Sequence, residues 1–87
     1  MITVKEAVVK AVEFAQTVLE TPRSSNLRLE EVVLEKDGAR DVWLITLSMP
    51  SHDALGIMGA RAYKTFSVDA QTGEVRSMKI RELSGAQ

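Results

Sequence analysis

A chain of 87 residues without cysteine makes a single domain with a small core, and it has neither a disulfide nor a thiolate metal site. Eleven basic side chains against twelve acidic ones leave a formal charge of −1 at pH 7, which excludes the strongly basic balance of a general polyanion binder. Met1 leads into an amphipathic segment with no basic n-region, and no apolar run has the length of a membrane span. The expectation is therefore a cytoplasmic protein without signal peptide or transmembrane segment.

Thr3 with Glu6 three residues later forms a capping box, the start signal of a helix. Val4, Ala7, Val8, Ala11, Val12, Phe14, Ala15, Val18 and Leu19 then recur at helical spacing, with Glu6, Lys10, Glu13 and Glu20 on the other side. Thr21-Pro22 ends the run, because the residue before proline is pushed out of the α region. The spacing predicts a helix over 3–20 that lies as a lid on a sheet.

Four strands are predicted after it, at about 27–36, 41–49, 61–69 and 74–82. In the first, Leu27 and Leu29 alternate, and Val32-Val33-Leu34 resumes with its parity shifted at Glu30-Glu31. Either a bulge sits there or one glutamate faces inward, and the bulge is the favoured solution. Lys36-Asp37-Gly38-Ala39 signals a hairpin. Trp43, Ile45, Leu47 and Met49 make the natural core face of the second strand. Val42, Leu44, Thr46 and Ser48 make the other, which is more apolar at Val42 and Leu44 than a wet face usually is. A homodimer contact accounts for that pair, and so does ordinary strand propensity.

The connector Pro50–Ala60 is about eleven residues long and carries Leu55, Ile57 and Met58 between Gly56 and Gly59. These three side chains are either a partner-binding tip or a cap over the open end of the core. The last two strands, through Phe66 and Val68 and back through Val75, Met78 and Ile80, enclose the turn Asp69-Ala70-Gln71-Thr72-Gly73. Asp69 is placed to accept backbone amides, Thr72 offers a second oxygen, and Gly73 supplies a positive φ. Phe14, Trp43, Phe66, Val68, Met78 and Ile80 are the expected core.

One helix followed by an antiparallel meander ending in the run Val68-Asp69-Ala70-Gln71-Thr72-Gly73-Glu74-Val75 resembles the PepSY family. The strand aromatics around Tyr63 and Phe66, and Trp43 after an Asp-Gly hairpin, fit the same pattern. The resemblance implies a cystatin-like α+β fold over residues 1–87, α-β-β-β-β, with one N-terminal helix packed on a four-stranded antiparallel meander. It also implies modulation of a peptidase, and it brings no catalytic residues.

The residues themselves point away from catalysis. Ser48, Ser51, His52 and Asp53 crowd one stretch, whereas the members of a catalytic triad are normally brought together from separated elements. His52 and Asp53 offer two metal ligands where a transition-metal site takes three or four. Glu30 and Glu31, adjacent in a strand, serve one site only if the backbone bulges. Lys64, Arg76, Lys79 and Arg81 read as a solvated sheet face, and Tyr63 alone beside Lys64 and Arg61 is too little aromatic surface for a nucleic-acid platform. The expectation is a non-enzymatic module without cofactor or metal that binds an unknown protein partner, with a structural homodimer as the alternative. Membranes and nucleic acid are not among the expected partners.

Overall fold

The computed structural model describes residues 1–18, 27–50 and 61–81. Its elements are a helix α1 (Val4–Val18) and strands β1 (Arg28–Asp37), β2 (Arg40–Pro50), β3 (Arg61–Asp69) and β4 (Val75–Arg81). The strands form one antiparallel sheet in the order β1-β2-β3-β4, so the α+β meander expected from the sequence is the architecture found.

The helix begins as its capping box dictates. Glu6 Oε1 accepts the Thr3 amide at 2.8 Å, and the Thr3 hydroxyl oxygen accepts the Glu6 amide at 3.1 Å. Ala7, Ala11 and Ala15 are fully buried at the centre of its inner face, with Val8, Val12 and Phe14 packed beside them. A methyl group is a short spacer, so this stripe lets the helix backbone come close to the sheet. Ile45, Leu47, Phe66 and Val68 complete the core, and the Phe14 and Phe66 rings meet edge to face at 6.1 Å. Trp43 and Met78 are half-buried against this cluster, and the Trp43 Nε1–H donates to the Ile2 carbonyl at 3.3 Å.

Register confirms the bulge in β1. Leu29 pairs with Leu47 and Glu31 with Thr46, which leaves Glu30 as the extra residue. A second bulge lies in β4, where Ser67 pairs with Ser77 and Val68 with Val75, leaving Arg76 unopposed. The two described hairpin turns use glycine in the left-handed region, Gly38 at φ 69° and Gly73 at φ 79°. Lys10 and Ile2 side chains lie 3.5 and 3.8 Å from where a Gly73 Cβ would stand, an ordinary contact, so conformation and not room requires glycine there.

One expected core residue is misplaced by the sequence pattern. Ile80 alternates correctly with Met78 and stands on the helix side, yet it is 74% exposed. It stands on the edge strand β4, paired with Lys64 of β3, beyond the cover that α1 supplies. Leu29 and Leu34 on the opposite edge are likewise 51% and 45% exposed. Lys64 and Lys79 fall on opposite faces of the sheet, so no single stripe unites them.

Candidate binding face

The face of the sheet away from α1 collects Val42, Leu44, Thr46 and Ser48 from β2, and Tyr63, Thr65, Ser67 and Asp69 from β3. No described element covers it, yet its centre is closed. Val42, Thr46 and Ser48 are 3%, 2% and 0% exposed, each on the central strand β2 with a paired strand on either side.

Polar pairing makes this burial affordable. At one end, the Ser48 hydroxyl donates to Glu30 Oε2 at 2.6 Å and accepts from Arg61 Nε at 2.8 Å, while Arg61 Nη2 donates to the Ser48 carbonyl at 3.0 Å. The β1 bulge makes this possible, since it brings Glu30 to the same face as Glu31. In the middle, the Thr46 and Thr65 hydroxyls share a hydrogen bond of 2.9 Å. At the other end, Asp69 Oδ2 accepts from Arg40 Nη1 at 2.6 Å, and Arg76, the bulged residue of β4, comes within 4.0 Å of the same oxygen. Asp69 Oδ1 accepts the amides of Gln71 and Thr72 at 2.8 and 3.1 Å. These amides, Gln71 first, together with Arg40, outweigh burial and hold the Asp69 carboxyl below the usual aspartate value.

Between the threonine pair and the Asp69 end lies an open cavity of about 370 Å³. Val42 and Leu44 form its floor, and Thr65, Ser67 and Ser77 line it with hydroxyls. Glu35, Lys36, Asp37 and Lys79 stand around its rim. The arrangement offers an apolar centre, neutral hydrogen-bonding groups and charges of both signs outside them. It is a surface that can receive a protruding segment.

Val42 and Leu44, the candidate dimer face, are therefore neighbours at this cavity, although Val42 has little surface left to give. The other candidate, the loop residues Leu55, Ile57 and Met58, lies outside the described residues, as do Ser51, His52 and Asp53. Sequence reasoning missed the Arg40–Asp69 and Glu30–Ser48–Arg61 groupings, which join positions far apart in the chain. Only the parity shift at Glu30-Glu31 hinted at the second.

Compared with known proteins, the chain matches no family model, no curated protein and no solved structure. Among the described residues, no helix is long and apolar enough to cross a membrane.

Proposed function

We propose that this chain is a small non-catalytic protein-binding module that modulates a peptidase or another enzyme, and that it receives its partner on the helix-free sheet face. The supporting observation is the cavity over Val42 and Leu44, whose apolar floor and charged rim have the make-up of a protein interface patch. The PepSY resemblance of the Val68–Val75 run agrees with a regulatory role. Homodimerisation through Leu44, which is half-buried on the cavity floor, is the competing use of the same face.

The test compares wild type with Leu44→Arg, both shown folded by circular dichroism, in capture from the native cell lysate and in mass measured at several concentrations. A partner held by wild type and lost by Leu44→Arg supports the proposal, provided that adding wild type changes the captured enzyme's rate. Equal capture by both removes this face from the binding site and turns attention to a Leu55, Ile57 and Met58 triple serine variant. A wild-type dimer that Leu44→Arg splits, with no partner captured, replaces the proposal by the homodimer.

A further inference from the structure

The two outer strands differ in charge and in what they leave uncovered. On β1, Glu35 is exposed on the helix-free face and Leu34 on the helix side is 45% exposed. On β4, Lys79 is exposed on the helix-free face and Ile80 on the helix side is 74% exposed. One edge thus presents a carboxylate beside an apolar side chain, and the other an ammonium beside an apolar side chain.

Backbone phase matches this chemistry. The two-residue turn at Gly38-Ala39 closes on the Asp37–Arg40 pair, whose backbone groups bond each other, so Asp37, Glu35 and Val33 direct theirs to β2. Leu34 and Lys36 then direct theirs outward. At the other edge the Asp69 amide donates to the Glu74 carbonyl at 2.8 Å, so Asp69, Ser67 and Thr65 face β4 and meet Ser77 and Lys79. Met78 and Ile80 are left with outward amides and carbonyls.

We infer that a second copy of this chain docks by its β4 edge on the β1 edge of the first, antiparallel, with Ile80 opposite Leu34 and Lys79 opposite Glu35. In that register both outward-bonding residues face each other, both helices lie on the same side of a continuous sheet, and residues 77–81 lie opposite 33–37. The bulges at Glu30 and Arg76 and the turn at Gly38 bound the stretch that pairs. Ile80 and Leu34 cover each other, and the opposite charges meet directly across the strands. Like edges do not fit as well. Pairing β1 with its own copy about Val33 or Leu34 sets Glu31 against Glu35 or Asp37, and pairing β4 about Lys79 sets that lysine against itself. The contact is head-to-tail, so it builds a ring or an open filament.

The experiment is the solution mass of the full chain across concentration at low salt, by light scattering and sedimentation, for wild type and charge-reversed variants. Wild type is expected to grow with concentration. Glu35→Lys and Lys79→Glu alone are expected to stay at single-chain mass. An equimolar mixture of the two regains assembly, and so does the double variant Glu35→Lys/Lys79→Glu. A second pair, Leu34→Pro and Ile80→Pro, removes only outward amides, leaving the sheet's own ladder intact. Each stays single alone, and their mixture stops at two chains because each retains one competent edge. Wild type at single-chain mass up to millimolar concentration overturns the inference. So do charge-reversed variants that assemble like wild type, or mixtures that do not recover. Glu35 and Lys79 also border the cavity over Leu44, so Leu44→Arg, which leaves both edges intact, separates the two proposals. It is expected to assemble like wild type, and assembly lost in it belongs to the sheet face and overturns the inference.

Discussion

Asp69 holds the end of β3 by accepting from Gln71, Thr72 and Arg40, with its side chain 3% exposed. Its folded pKa is lowered, so it contributes stability above the unfolded value of about 3.9, and that contribution is lost as the pH falls through the lower folded value. Glu6 acts in the same direction through the Thr3 amide and hydroxyl. Asp69→Asn is expected to lower the thermal midpoint at pH 7 and to reduce, in part, the loss of stability between pH 5 and pH 2. Melting curves followed by circular dichroism across that range check both. The turn role of Asp69, Thr72 and Gly73 was legible in the sequence because its partners lie within four residues. The Arg40 contact was not, since it spans 29 positions and depends on which strands become neighbours. Ser48→Ala, at the opposite end of the face, leaves the exposed Glu30 and half-buried Arg61 without their shared hydroxyl and is expected to cost about 0.5–1.5 kcal/mol in urea unfolding.

At the level of the element, α1 is held by its cap and by its alanine stripe. Thr3→Ala removes the hydroxyl that accepts the Glu6 amide and is expected to cost about 1 kcal/mol. Ala11→Leu forces extra volume into a fully buried contact and is expected to cost about 1–3 kcal/mol, with α1 displaced from β2 and β3. Denaturant titration separates the two, and amide exchange localises the first to the opening turn. All five elements were readable from periodicity, and the β1 bulge from the parity break between Leu29 and Val32. The β4 bulge carries the same signal, since Val75 and Met78 are three apart and both lie on the helix side. It was harder to see because polar Arg76 and Ser77 fill the interval. Ile80 was assigned to the core because alternation reports which face a residue occupies, not whether anything covers that face.

The whole molecule is a sheet wider than its lid. Three interstrand steps of about 4.8 Å span roughly 14 Å, and a helix with its side chains is about 10 Å across. The core is therefore a narrow column under α1, centred on Phe66. Phe66→Ala is expected to cost about 3–5 kcal/mol, comparable to the entire stability of a small domain, and to abolish a cooperative melting transition at 37 °C. The same mismatch of widths strands Leu29, Leu34 and Ile80 at the margins.

The attachment of the chain's beginning carries a temporal consequence. The Ile2 amide donates to the Ala70 carbonyl at 2.7 Å, and the Ile2 carbonyl accepts from Trp43. The helix is made before the sheet during synthesis, but one of the two ties at Ile2 belongs to the β3–β4 turn, 68 residues later in the chain. A loop of that length must close before α1 gains its seat, which makes docking of the helix a late event in folding. Until Ala70 has been added, the nascent helix keeps its alanine stripe and flanking valines unsheltered. The interval of greatest exposure to chaperones and proteases is therefore expected to fall before the β3–β4 turn has emerged.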